Sequence, residues 1–294
     1  MKSRLDCIPC LVNQAYNVGK LIKLPKESHE KLVRESIQYI SKQPFDTKAP
    51  LISKKIWQFA LKQSGNSDPM ASIRHYYNQQ MLKLEPELTK EIENSETPLF
   101  TSLKIAIAGN IIDFGAPHTF DFEKVKTKIH ETLEAPLAKD HSNALFARLS
   151  ESSNLMYLGD NCGEIVLDKL FIHQLTKHYP RLRVTFAVRG YPVLNDVIRK
   201  DAQDVGIQKY ATIVDNGDSA PSTLIEKTSP GFKASMKDSD VIIAKGQGNF
   251  EGLSEYPKQE LYYLFMSKCS YISELTGSPL YGLLCLKNKL AGTN

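Results

Sequence analysis

The 294-residue chain is poor in cysteine, with 5, and in tryptophan, with 1. So few cysteines, odd in number, exclude a disulfide-built scaffold and fit a reducing, cytoplasmic setting. Long apolar runs are also missing. The longest unbroken one is Leu261 to Met266, whereas a membrane span needs about 20 apolar residues. The N-terminal stretch MKSRLDCIPCLVNQ begins with basic residues but has no apolar segment of signal-peptide length. No membrane partner is expected. Neither charge sign dominates: 37 basic residues face 33 acidic ones, net +4, with a pI near 8.6. Nucleic-acid binders carry a stronger basic stripe, so no nucleic-acid partner is expected either. The 16 glycines and 15 prolines follow no period, which excludes collagen-like and low-complexity chains. The 7 histidines are scattered, and His173 and His178 miss the i,i+4 spacing of a helical ligand pair.

What is present is an ordinary globular composition, 41% hydrophobic and 24% charged. The length is near the limit of one core and predicts two packed units. The first, residues 1–150, reads as helices. Leu32, Val33, Ile37 and Ile40 fall at helical spacing, as do Leu51, Ile52, Ile56, Trp57, Ala60 and Leu61 up to Gly65. Asp68-Pro69 and Thr97-Pro98 read as helix starts, the second helix running to Ile111. No strand is expected before Asn154. The second unit, residues 151–294, alternates strand and helix. NLMYLGD, RVTFAV, ATIVD, DVIIAKG and LYYLFMS are the strands, with an amphipathic helix after the first and another beginning near Leu194. That alternation predicts an α/β fold with a mostly parallel sheet and helices on both faces.

In such sheets ligands bind beyond the carboxyl ends of the strands. Four of those ends carry turn formers with oxygen donors or a lysine. They are GDNCGE (159–164), RGYPVLND (189–196), DNGD (215–218) and KGQGNFE (245–251). Carboxylate and amide oxygens suit a hard divalent cation. Asp160 and Asn161 from the first end and Asp196 from the second are the candidate ligands. Lys245, with backbone N–H groups from Gly246 to Asn249, is a candidate phosphate cradle. Each feature also has a plain reading. Asp and Asn after a strand serve as turn formers and N-caps, and Gly-x-Gly has many uses. Four clusters at successive strand ends favour a site.

GDNCGE, PVLND and DVIIAKGQGNFEGLSE resemble signatures of the metal-dependent damage-control phosphatases, the acidic-residue-methyltransferase-like family. AIAGNIIDFG (106–115), Cys7-Ile8-Pro9-Cys10, SKC and GLLCLKN are similar to its prokaryotic branch with a Cys-x-x-Cys start. The resemblance implies a helical N-terminal region packed on a three-layer α/β/α sandwich. It implies a metal on Asp160, Asn161 and Asp196, and Lys245 near the substrate phosphate. It also implies that Asn110 and Asp113 face the site. The chemistry expected is hydrolysis of a small phosphomonoester, such as a phosphosugar, with Mn²⁺, Co²⁺, Ni²⁺ or Mg²⁺ neutralising phosphate charge. Catalytic candidates are Asp160, Lys245 and Glu164, the last to polarise a water or orient a ligand. Arg189, Gly246, Gly248 and Asn249 complete the candidate phosphate-binding set. The attacker is either a metal-activated water or a carboxylate such as Asp160.

Two other readings exist. LMYLGDNCGE has the shape of a strand and glycine turn for S-adenosylmethionine, but that leaves Asp196 and Lys245 unexplained. Cys7 and Cys10 form either a secondary metal or redox site or two small buried residues at a helix start. Zinc would need two more ligands: Cys269 and Cys285 are candidates only if the fold brings the chain ends together, and His29 is a lone further one. Oligomeric state has no sequence signal.

Overall fold

The fold is described from a computed structural model, over residues 1–110 and 121–288. The helices of the first half are α1 (Cys7–Leu21), α2 (Lys26–Ile40), α3 (Ala49–Ser64), α4 (Ala71–Asn94), α5 (Pro98–Gly109), α6 (Phe122–Glu134) and α7 (Ser142–Ser150). The second half holds α8 (Glu164–His178), α9 (Arg199–Asp204), α10 (Pro230–Asp238), α11 (Gly246–Leu253) and α12 (Ser270–Thr276). The strands are β1 (Lys139–Asp140), β2 (Asn154–Leu158), β3 (Arg183–Val188), β4 (Thr212–Asp215), β5 (Val241–Lys245), β6 (Leu261–Met266) and β7 (Leu283–Lys287). None of the described helices is long and apolar enough to cross a membrane.

One sheet runs β1-β7-β6-β5-β2-β3-β4, parallel throughout except for the β6–β7 pair. The expected α/β/α sandwich is present, with apolar clusters on both sheet faces. Its central strands β2, β5 and β6 read as near-continuous apolar runs because both faces are covered: all of Val241–Lys245 is buried. β2 lies between β5 and β3, so chain order reverses there. Open α/β sheets bind ligands at such a switch point.

The larger apolar cluster joins α4, α5 and α6 to the sheet through α8. Helix α8 is therefore buried on nearly every side, not amphipathic as its spacing predicts. Its polar residues are paired instead: Lys169 Nζ donates to Glu85 Oε2 and Val205 O, each at 2.8 Å. Helices α1–α3 have smaller cores of their own. They rest on the strand-end loops: Trp57 Nε1 donates to Pro192 O at 2.9 Å, Val193 packs with Trp57, and Lys54 pairs with Asp218.

Other sequence expectations are corrected. A strand does occur before Asn154, the two-residue β1 pairing with β7. Asp68 does not cap α4, which starts at Ala71; it takes two bonds from the Arg74 guanidinium, at 2.9 and 2.7 Å. Arg74 also donates to Asp201 at 2.9 Å, which ties α4 to α9. The helix after β3 starts at Arg199, not near Leu194. The intervening loop is held by two isolated bridges, Asn161–Asp196 and Arg189–Ile198. Ile111 and Asp113 lie outside the described residues.

Candidate active site

The chain turns sharply after β2 and delivers Asp160 and Asn161 ahead of α8. Backbone bonds stitch this turn to the loop after β3: Cys162 N to Asn195 O and Val197 N to Asp160 O, each at 2.9 Å. The next turn is fixed from α4, where Asn78 Oδ1 accepts Gly163 N at 2.7 Å. Asp160 and Asp196, distant on a linear reading, thus become neighbours, and both are buried. Asp196 does not open a helix as its position after a strand predicts. Its Oδ2 accepts Arg189 Nε at 2.7 Å.

Asp160 is ringed by amides. Its Oδ2 accepts Asn161 Nδ2 at 2.7 Å and Asn110 Nδ2 at 3.3 Å. Arg189 Nη2 lies 3.6 Å from its Oδ1. That Nη2 is buried and has no hydrogen-bond partner among the described residues. Gly246 closes the other side, with φ at 78°, and a Cβ there would sit 1.8 Å from Asp160 Oδ2. Only glycine meets both demands. Gly246→Ala is expected to cost at least about 1–2 kcal/mol from the left-handed backbone alone, read by denaturant unfolding. It must also displace the Asp160 carboxylate.

Lys245 ends β5 in full burial. Its ammonium donates to Ala106 O at 2.6 Å and Glu164 Oε1 at 2.5 Å, with Asp168 Oδ1 at 3.0 Å. Expected at the phosphate, it instead spends its three protons on α5 and α8. Glu164, also fully buried, reaches from Lys245 to Asn161, whose Nδ2 lies 3.3 Å from Glu164 Oε2. Asn249 is equally saturated. Its Nδ2 donates to Gly159 O and Lys245 O, while its Oδ1 accepts from Arg189 and Thr223. Gly248 packs against the 221–222 loop, its O accepting Ser222 Oγ at 2.7 Å.

The charges are unbalanced. Asp160, Glu164, Asp168 and Asp196 are buried carboxyls, faced by Arg189 and Lys245 as buried cations. Burial, then Glu164 and Asp196, push the Asp160 carboxyl well above the usual carboxylate range; Arg189 and Lys268 draw it back. Burial raises Asp196 too, against the pull of Arg189 and Arg74. Asp168 is pushed up to about 7 by burial, with Lys245 restraining it. A divalent cation would balance this surplus, and the donors are the hard oxygens it prefers. The ligand set is two carboxylates and an amide; among the described residues no group of three or more His, Cys, Asp or Glu is arranged to hold a metal.

Several residues escaped the sequence reading. Asn78 and Asp168 have no local signal. Lys268 had one: it follows β6, a fifth strand end left out of the reckoning. It is exposed, it acts electrostatically on Asp160, and its N–H donates to Gln247 Oε1 at 2.9 Å.

Comparison with known proteins follows the same outline. A damage-control phosphatase of Pyrococcus horikoshii is 26% identical over 290 residues, covering 98% of this chain and 99% of its own. One from Archaeoglobus fulgidus is 26% identical over 284 residues, covering 94% and 96%. An uncharacterized protein of Methanocaldococcus jannaschii is 28% identical over 287 residues, covering 94% and 92%. The crystal structure of the Pyrococcus horikoshii protein, described as a DUF89 family protein, superimposes with a TM-score of 0.87. It covers 98% of this chain and all of its own, at 25% identity. The family model for the damage-control phosphatase ARMT1-like domain matches residues 4–284. The buried carboxylate turn at the sheet's switch point is thus that of a family member: this chain belongs to the damage-control phosphatase ARMT1-like family.

Proposed function

We propose that the protein is a divalent-metal-dependent phosphatase acting on small phosphomonoesters, phosphosugars or damaged phosphometabolites. Family membership and two relatives named as damage-control phosphatases support phosphatase activity. One structural observation carries the metal dependence. Asp160 and Asp196 are held together in burial with less positive charge than their ionised forms need. Asp160, Asn161 and Asp196 would hold Mn²⁺, Co²⁺, Ni²⁺ or Mg²⁺. Such a cation, when bound, would supply positive charge against the phosphoryl oxygens.

The chain's own groups divide the remaining work. Asn110 and Asn161 orient the Asp160 carboxylate, and Arg189 orients Asp196. Glu164 is a positioning residue for Asn161, and Lys245 in turn fixes Glu164. The phosphate is received by backbone N–H groups at the start of α11 and by Lys268, the exposed cation nearest Asp160 in effect. Lys268→Ala is expected to raise KM and lower kcat, together costing about tenfold to a thousandfold in kcat/KM. Steady-state kinetics with a phosphomonoester checks this, and unchanged kcat/KM removes Lys268 from the site.

The carboxyls also set a pH dependence. Asp160 and Asp196 bind protons more tightly folded than unfolded. Folded protein therefore holds more protons above the ordinary carboxylate range, and stability falls as pH rises through the raised values. A bound cation offsets that loss. Saturating Mn²⁺ is expected to raise Tm more at about pH 8 than at about pH 5. Thermal melts with and without metal at both pH values test it. Equal shifts would contradict the metal assignment.

A further inference from the structure

The N-terminal segment packs beside the β6–α12 turn. The Met1 amine donates to Glu251 O at 2.9 Å, and Tyr271 donates through its hydroxyl to Lys2 O at 3.3 Å. Arg4 lies 4.0 Å above the Tyr271 ring and donates to Glu274 Oε2 at 2.9 Å. These contacts lay the first turn of α1 against the turn that carries Cys269. Cys7 and Cys269 pack on the same apolar cluster. Cys7, Cys10 and Cys269 lie within electrostatic reach of one another and of Glu251. Gln247 Nε2 approaches Cys269 Sγ at 3.9 Å while Gln247 Oε1 holds the Lys268 N–H. Gln247 thus links the Cys269 thiol to the backbone of Lys268. Nothing in the phosphatase reading uses the thiols.

Cys7 and Cys10 occupy i and i+3 in the first turn of α1. Helix geometry places such Cα atoms about 5 Å apart, inside the roughly 4.4–6.8 Å that disulfides span. Cys10 is exposed and Cys7 half-buried, whereas Cys162 and Cys285 are buried. We propose that Cys7 and Cys10 form a redox-active dithiol, oxidised to a disulfide by a low-molecular-weight disulfide such as glutathione disulfide. Cys10, the accessible thiol, loses its proton to solvent and attacks one sulfur of the small disulfide. That S–S bond breaks, one small thiolate leaves, and Cys10 carries a mixed disulfide. Cys7 then gives up its proton and attacks the Cys10 sulfur. The Cys7–Cys10 bond forms and the second small thiolate departs. The protein loses two electrons and two protons, and the small disulfide is reduced to two thiols. Burial raises both protein thiols, so the reduced form gains no stability as thiolate. A pair of that kind holds its disulfide more firmly than an acidic pair does.

The test needs no phosphatase assay, so its failure is separate from failure of the catalytic reading. The full chain is equilibrated in glutathione buffers of increasing oxidised fraction, acid-quenched, denatured and labelled with a maleimide. A single tryptic peptide, residues 5–20, carries both Cys7 and Cys10. Under oxidising buffer it is expected unlabelled and lighter by two hydrogen atoms, with Cys162 and Cys285 still labelled. Cys10→Ser is expected to leave Cys7 without an internal disulfide. The proposal is overturned if both thiols of the peptide label at the most oxidising ratio. It is also overturned if the peptide is found linked to the one carrying Cys269.

Discussion

Asp160→Ala is expected to lower phosphate release by about a thousandfold or more, the scale of losing a principal transition-state electrostatic group. Stability should not fall with it. The Asp160 carboxyl is buried and pushed up by Glu164 and Asp196, so its removal relieves like-charge repulsion in a low-dielectric site. Tm without metal is therefore expected to hold or rise while activity disappears. Functional sites store unfavourable charge in this way, and removing it trades activity for stability. Kinetics and thermal melts on the same preparation give the answer. Activity within about tenfold of wild type, or a collapsed Tm, would make Asp160 a structural residue.

Lys245→Met is expected to act in the opposite sense. Its ammonium answers Glu164 at 2.5 Å and Asp168 at 3.0 Å, all three groups fully buried. Removing one partner of a buried ion cluster strands the others, a loss of roughly 3–5 kcal/mol. Denaturant unfolding should show that loss as a lowered midpoint. Adding Asp168→Asn removes one of the stranded charges and is expected to restore part of the stability. A single variant as stable as wild type would show that the cluster is not ionised as described. Asp168 also accepts the Tyr157 hydroxyl at 2.7 Å, so the same lysine supports a network running into β2.

The two variants mark where sequence was legible and where it was not. Strands β2, β5 and β6 stood out because burial on both faces makes them apolar runs. Strand ends bearing Asp160, Arg189 and Lys245 stood out because turn chemistry concentrates Asp, Asn and Gly there. β7 was not distinguished, since a short apolar run has no periodicity of its own. Asp196 reads locally as a helix opener, but Arg189 and the Asn161 bridge decide its place, and both are tertiary. Lys245 reads as a phosphate ligand because its neighbours are glycines. Its partner Ala106 O comes from 139 positions away, and no local pattern announces it. Lys268, proposed for the site, follows β6 as Asp160 follows β2, a position that is legible in the sequence. Asp113 lies outside the described residues, and its expected place facing the site stays a proposal.

Phosphate release by metal-stripped protein, followed as Mn²⁺, Co²⁺, Ni²⁺ or Mg²⁺ is restored, tests the central claim most directly. The assay runs over a panel of phosphosugars and other small phosphomonoesters, with Asp160→Ala alongside. The account predicts no turnover after stripping, recovery with at least one of these cations, and no recovery in the variant. Full turnover by stripped protein, or equal recovery in Asp160→Ala, would contradict it.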